Sequence, residues 1–381
     1  MSKTTEGMST RSDMTGDEPE AEIAVEATPG RASRKTAQRR PGALVRLTAQ
    51  DVAERAGVSI GTVSRVINEV PGVKPAAVAK VRKAIEELGW SPNIAAQNIR
   101  ASSSRMIGFI FSDIRNSLYA MMTKGAEEVL SARGYLLVTA SSDGRPEREV
   151  DLINLFKRRQ ADGMILTVER ESEPAVNEAV SCAAMPYVMM ERELPLGGLS
   201  VGVDHYRGVR QATDYLLGLG HRRIAMITGG RGTRVARDRT RGLQDSLAAH
   251  GLSIDEDLLK PDSYSSEYGY RQTMLLLGSH DPPTAILSLG VRLLPGVVAA
   301  LRGMGKDFPG DVSLICSNDT DLATIASPQI TAIRYDAMAL GRLAAESLLE
   351  QIGARSLSVE PRRIELPTEL VLRGSCRAIA G

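Results

Sequence analysis

The ten residues Ser59-Ile60-Gly61-Thr62-Val63-Ser64-Arg65-Val66-Ile67-Asn68 gather three hydroxyls, an arginine and an amide. Read as a helix, the stretch buries its valines and turns Ser59, Thr62, Ser64, Arg65 and Asn68 outward. Hydroxyls and amides at such points suit phosphate oxygens, and an arginine suits the O6/N7 pair of guanine. Ile60 and Gly61 stand at the tip and offer no side-chain hydrogen bond to a base. Ile60 can pack on a thymine methyl, and Gly61 lets the backbone approach closely. The chemistry implied is recognition of duplex DNA.

Three helix-sized segments hold this stretch in place. The first runs from about Thr48 to Ala56, with Thr48 and Asp51 spaced as a capping box. Gly57 permits the left-handed turn that follows. Ser59 caps the second helix, which ends near Ile67, and Pro75 suits the first position of a third, ending near Leu88. Val52, Ala53, Ala56, Val58, Val63, Val66, Ile67, Val78, Val81, Ile85 and Leu88 supply a small core. Helix, glycine turn, helix is the helix-turn-helix pattern, whose second helix enters the major groove.

Charge supports this reading. The net charge of +1 conceals an acidic segment 1–30 and a basic segment 31–105 with fourteen basic and five acidic side chains. A cationic head on a nearly neutral body is the footprint of a polyanion binder. Residues 1–46 lack apolar periodicity and read as a disordered tail. No apolar run approaches the roughly 18–20 residues of a membrane span, and the N-terminus has no secretory h-region. Cys182, Cys316 and Cys376 are odd in number and widely spaced, which excludes a disulfide framework and points to a reducing cytoplasm.

From residue 106 the pattern changes. Aliphatic runs at 106–111, 135–140, 163–168, 186–190, 223–228, 284–289 and 312–316 read as strands. Helical patterns lie near 118–133, 146–159, 206–219, 237–250, 267–278, 293–303 and 337–352. Alternation of this kind implies parallel sheets of βαβ units. The fold class is an all-α helix-turn-helix head plus an α/β body of two doubly wound parallel-sheet subdomains. Small molecules bind such bodies at the carboxyl ends of the strands. Residues 91–105 link the two parts, with serines that read as flexible. The Gly-rich stretch 229–233 lacks the Gly-Lys-Ser/Thr ending of a phosphate loop, His221 reads as a structural hydrogen-bonder, and no ligand spacing for a metal is present. No Ser-His-Asp order is present either. The C-terminus carries no leucine heptad, so a coiled-coil tetramer is not expected.

The segment "LTAQDVAERAGVSIGTVSRVIN…VKPAAVAKVRKAIEELGWSPNIAAQNIR" resembles the DNA-binding head and hinge of the lactose/galactose-repressor (LacI/GalR) family. The likeness continues through "IRNSLYAMMTKGAEE", "QADGMIL", "MERELP", "LGLGHRRIAMITG", "RDRTRGL", "PGDVSLICSNDTDLA" and "SPQITAIRYDAMALGRLAAE". It implies a homodimeric transcription factor, most often a repressor, with a periplasmic-binding-protein-like body that binds a small effector. Each subunit would read one half of a pseudo-palindromic operator. The implied domains are the tail 1–46, head 47–90, hinge 91–105, one body subdomain of 106–203 with 337–365, and another of 204–336 with 366–381. By the resemblance, Ile60 and Gly61 hold the positions that vary with operator sequence, and Arg65 contacts guanine. Thr62, Ser64 and Asn68 make phosphate or groove contacts, and the caps Thr48 and Ser59 join the DNA-facing set. Ile99 matches a leucine wedged into the minor groove, at a cost of about a few kcal/mol for unstacking. Arg100 would reach into the narrowed groove. Lys74-Pro75 and Val78 depart from the family's Ser cap and Arg in the third helix.

For the effector, the resemblance places Arg239 as the gripping arginine, Tyr119 and Tyr264 as aromatic walls, and Arg192 at a strand end where the family's Asp-Arg reads Glu191-Arg192. Sugar-responsive members carry Asn-Asp where this chain has Gly290-Val291, and an Asp where it has Asn318. Fewer acceptors weaken the case for a simple hexose. Arg334 beside Arg239 would make the cleft cationic and favour a carboxylate or phosphate; the alternative is that Arg334 pairs with Asp336 or Asp319. The expected effector is a sugar, sugar derivative or sugar acid. No cofactor, metal or membrane partner is expected. A transporter's solute-binding protein would lack residues 47–100, and an enzyme would keep its turnover without residues 1–105.

Overall fold

The structure is a computed structural model that describes residues 47–91, 103–354 and 361–379. The tail 1–46 and most of the hinge, including Ile99 and Arg100, lie outside the described residues. The chain divides into two units, Met1–Pro92 and Asn93–Gly381.

In the first unit, α1 (Ala49–Ala56) starts where the sequence expects it. The Thr48 hydroxyl accepts from the Asp51 amide, and the Asp51 carboxylate accepts from the Thr48 amide at 2.7 Å. Gly57 (φ 65°) turns the chain into α2 (Ile60–Ile67). The third helix, α3 (Pro75–Leu88), begins without a side-chain cap at Lys74. Val52, Ala53, Ala56, Val63, Val66, Val81, Ala84 and Trp90 form the buried core. Trp90 was not foreseen in it; its indole N–H donates to the Leu47 carbonyl at 3.1 Å and ties the two ends of the unit together.

The second unit holds two six-stranded sheets. The first is built from β1 (Met106–Phe111), β2 (Leu136–Ser141), β3 (Gly163–Leu166), β4 (Tyr187–Met190), β5 (Leu199–Val203) and β11 (Arg362–Leu366), in the order β11-β5-β4-β3-β1-β2. All its pairs are parallel. Its connecting helices are α4 (Ser117–Ala132), α5 (Pro146–Arg158) and α6 (Pro174–Ala183). The second contains β6 (Ile224–Thr228), β7 (Leu259–Lys260), β8 (Ala285–Leu289), β9 (Ser313–Ser317), β10 (Thr331–Arg334) and β12 (Glu369–Val371), in the order β12-β10-β9-β8-β6-β7. Only β12 runs antiparallel, against β10. With it go α7 (His205–Gly218), α8 (Arg234–Ala249), α9 (Ser266–Leu277), α10 (Leu294–Gly303) and the short α11 (Asp321–Ile325).

The chain passes between the sheets three times: after β5, after β10, and between β11 and β12. The second passage leads into α12 (Ala337–Ala354), which packs on α4 and the first sheet. Two glycines allow that packing. A Cβ at Gly125 would sit 2.0 Å from the Met338 carbonyl oxygen, and one at Gly341 would sit 1.9 Å from that of Met122. The two helices therefore touch backbone to backbone.

The serines before β1 are not free. Ser104 donates its amide to Asp162 at 2.7 Å, the Ser103 hydroxyl also bonds Asp162, and the Arg105 amide reaches the same carboxylate at 3.2 Å. A carboxylate that accepts several donors fixes the entry into the body where composition alone suggests flexibility.

Candidate functional site: a DNA-reading helix and a ligand cleft

Val63 and Val66 anchor α2 in its unit's core, so its opposite face is open. Ser59 accepts from the Thr62 amide at 3.2 Å, and the two hydroxyls bond at 3.0 Å. The Asn68 side chain donates to Ser64 Oγ at 3.4 Å. Ile60, Gly61, Arg65 and Asn68 are exposed. Ile60 keeps 47% of its surface in solvent. A Cβ added at Gly61 would meet only Ser59 Oγ, at 3.7 Å. The protein's own packing does not require glycine there. Arg55 pairs with Glu87 at 2.5 Å, whereas Arg65 has no ion-pair partner among the described residues. Thr48 is exposed, but its hydroxyl is occupied in the capping box.

In the body, the two sheets present their carboxyl ends to one cleft, and both contribute an arginine. Arg192 follows β4 and is 5% exposed. Its Nε donates to the Val168 carbonyl at 2.7 Å and its Nη1 to the Glu191 carbonyl at 3.0 Å. Arg239 of α8 is equally buried. Its Nη1 donates to Thr228 Oγ1 at 2.8 Å and to the Leu289 carbonyl at 2.7 Å. Tyr119 stacks on Phe111 with ring centroids 5.0 Å apart, and its hydroxyl meets Thr167 Oγ1 at 3.0 Å. Tyr264 lies between the ends of β6 and β8. A Cβ at Gly229 would be 2.6 Å from its ring and one at Gly290 would be 2.8 Å away. Tyr119 and Tyr264 come from different lobes, each beside the strand ends of its own sheet. Burial pushes the Tyr335 hydroxyl pKa up, and its ring meets His205 edge-on with centroids 6.1 Å apart.

Two of the sequence-derived residues sit differently. Asn318 is buried in a left-handed conformation (φ 60°), with Oδ1 accepting from the Asp319 amide at 2.9 Å. With Arg334 and Tyr335 it lines a cavity of about 670 Å³ beside the inter-sheet passages. Arg334 is on the outer rim, half exposed; it donates to Glu369 at 2.6 Å and pairs at 3.9 Å with Asp319, one of the two partners the alternative reading names. Its charge is answered there, so it adds little to the field of the cleft.

Sequence reasoning missed the charged seam joining the lobes. Glu171 accepts from the Arg234 amide at 2.8 Å and pairs with Arg237 at 3.0 Å. The Arg234 side chain reaches Glu365 at 3.0 Å, and Arg363 reaches Asp238 at 2.7 Å. On the other side, Arg292 pairs with Asp113. Glu191 and His205, both buried, share a hydrogen bond at 2.5 Å. Burial opposes the Glu191 charge, but His205, Arg234 and Arg192 outweigh it and hold the carboxyl below the usual range, while burial pushes the His205 pKa down. Glu191-Arg192 as adjacent charges after an apolar strand was the one legible trace of this seam.

Known proteins that match this chain share the two-part design. The bacterial regulatory proteins of the lacI family match residues 48–93, and a periplasmic binding protein-like domain matches residues 213–376. The HTH-type transcriptional regulator DegA of Bacillus subtilis (strain 168) is 31% identical over 338 residues, 87% of this chain and 98% of DegA. The ribose operon repressor of Escherichia coli (strain K12) is 30% identical, with 86% of this chain and 99% of the repressor covered. The structure of the transcriptional regulator CelR–cellobiose complex is 29% identical at a TM-score of 0.66, covering 87% of this chain and all of that one. The lac repressor dimer bound to operator and the anti-inducer ONPF gives a TM-score of 0.77 at 25% identity, covering 87% of this chain and 99% of that one. Matched along nearly the full length of these regulators, the chain belongs to the LacI family of DNA-binding transcriptional regulators, with an effector-binding body.

Proposed function

We propose that the chain is a sequence-specific operator-binding repressor that acts in the cytoplasm as a homodimer and responds to a small molecule in the cleft of the body. The observation that carries this reading is the outward set Ile60, Gly61 and Arg65 on a helix whose other face is locked into a core. None of the three has an internal task, which is what residues selected for an external duplex require. Arg65 reads guanine, while Ser59, Thr62, Ser64, Asn68 and the exposed Thr48 meet backbone or groove. Ile99 and Arg100 complete the contact in the minor groove. The lac repressor dimer on operator supports a paired arrangement, and the name of the ribose operon repressor supports the sign of regulation.

The cellobiose complex of CelR and the ribose-bound regulator from Enterococcus faecium (25% identical, TM-score 0.64) support a sugar-derived ligand between Tyr119, Arg192, Arg239, Tyr264 and Asn318. Such a ligand shifts the body between states only by its differential affinity for them. The body binds and does not turn over substrate, and neither metal nor cofactor is required. Selection of bound duplexes from a random pool by the full chain tests the reading. Enrichment of one pseudo-palindromic site is expected; equal retention of every sequence, removed uniformly by salt, refutes it.

A further inference from the structure

The two arginines of the cleft are anchored in an unusual way. Arg192 and Arg239 are each 5% exposed, yet their anchors are carbonyl oxygens and one threonine hydroxyl. No carboxylate lies within ion-pair distance of either among the described residues. Other buried or half-buried arginines here are paired: Arg234 with Asp238 and Glu365, Arg373 with Asp319, Arg292 with Asp113. A buried guanidinium without an ion-pair partner is costly; Arg192 has only the longer-range field of carboxylates such as Glu169 and Glu171, and Arg239 is held by neutral acceptors.

The acceptors that might have answered them are missing or engaged. Position 290 is glycine, and the Tyr264 ring occupies the space a side chain would need. Position 318 is an amide whose oxygen is already bound to the Asp319 amide. Glu171 is spent on Arg237 and two main-chain amides, and Glu191 gives Oε2 to His205, its Oε1 being buried without a hydrogen-bond partner among the described residues. Glu169, in the field of Arg192, is the carboxylate left for a ligand hydroxyl.

We infer that the ligand of this cleft is an anion: a polyhydroxylated molecule whose carboxylate or phosphate is held between Arg192 and Arg239, with Tyr119 and Tyr264 on its flanks. The inference rests on the proposal that the cleft is the effector site. A planar guanidinium from either lobe fits two oxygens of one anionic group, so binding joins the lobes through the ligand's charge. Carboxylate and phosphate share this chemistry, and titration separates them.

The test is calorimetric titration of the full chain with glucose, glucuronate, gluconate, glucose 6-phosphate and inorganic phosphate, at low and at 0.5 M salt. At least one of the two sugar acids or the sugar phosphate is expected to bind tenfold or more tighter than glucose. Asn318→Asp, which changes one atom and adds one charge in the adjoining cavity that Tyr335 also lines, is expected to weaken that compound at least fivefold. Arg239→Lys is expected to weaken it further. Preference for glucose, or anion affinity unmoved by salt, overturns the inference while leaving the cleft reading intact if Arg239→Lys abolishes that binding. Anion binding that ignores both Arg239→Lys and Asn318→Asp overturns the cleft reading itself. Failure of every anionic compound to bind at 10 mM also overturns the inference.

Discussion

Glu149 offers a sharp test of the electrostatics behind the cleft. It sits on α5, fully buried, with Oε1 accepting from the Glu169 amide at 2.9 Å and from the Ser142 hydroxyl at 3.3 Å. Oε2 has no partner among the described residues. Burial pushes the carboxyl up to about 7, against those two hydrogen bonds and the pull of Arg192, with Glu169 adding to the rise. In the unfolded chain the group titrates near the ordinary carboxylate value of about 4.3. Between these values the folded state holds more protons than the unfolded one, so stability falls as pH rises. The penalty is absent below about pH 4, grows between about 4 and 7, and is complete above; at 1.36 kcal/mol per unit it reaches about 4 kcal/mol. Glu149→Gln keeps the shape and the acceptor and removes the titration. It is expected to leave stability at pH 4.5 nearly unchanged and to stabilise the body by about 2–3 kcal/mol at pH 8. Urea unfolding followed by circular dichroism measures this. Trp90, the chain's only tryptophan, lies in the helical head and reports that unit's transition separately. A difference between variant and parent that is the same at both pH values refutes the argument, as does a variant less stable at pH 8.

Other outcomes follow from the same geometry. Arg65→Ala should cost roughly 1–3 kcal/mol of operator binding and relax the preference at one base pair; equal weakening on all duplexes in a competition assay means the guanidinium meets only phosphate. Gly290→Asn places a Cβ 2.8 Å from the Tyr264 ring and 3.0 Å from Leu293. It should lower the body's melting temperature and displace the ring, read as a loss of cleft-ligand affinity in calorimetry with operator binding retained. Val63→Ala empties a fully buried position in the small head core, at a cost of about 2 kcal/mol. That cost should appear in the Trp90 fluorescence transition while the body's transition stays in place.

The sequence carries the fold far because its signals are local. The Thr48–Asp51 pair, Gly57 and Ser59 each determine one helix end through contacts within three residues, and all are found in place. Seven strands were legible because buried parallel strands are continuous aliphatic runs. Five strands escaped notice: β5, buried and parallel, has its aliphatic run broken by Ser200 and Gly202, β11 reads Arg-Arg-Ile-Glu-Leu with little burial, and β7, β10 and β12 have only two to four residues. The exposed face of α2 was legible as polar residues on the far side of a valine stripe. Arg239 and Arg192 were singled out by motif likeness, and both are buried; Tyr335, Glu191 and His205 come together only because the chain crosses between sheets three times. Arg334 shows the limit from the other side. Its cationic role rested on proximity to the cleft, and Glu369, thirty-five residues away in sequence, answers its charge through the antiparallel pairing of β10 with β12.

The central claim is that residues on one face of α2 choose a DNA sequence and that the cleft ligand alters that choice. Fluorescence anisotropy of the full chain on its selected duplex and on a scrambled one, with and without a cleft-binding sugar acid or sugar phosphate, tests it directly. The expected result is at least a hundredfold preference for the selected duplex, changed tenfold or more in either direction by the ligand and unchanged by it once Arg239 is replaced by lysine. Equal affinity for both duplexes, or a preference blind to every ligand that occupies the cleft, contradicts it.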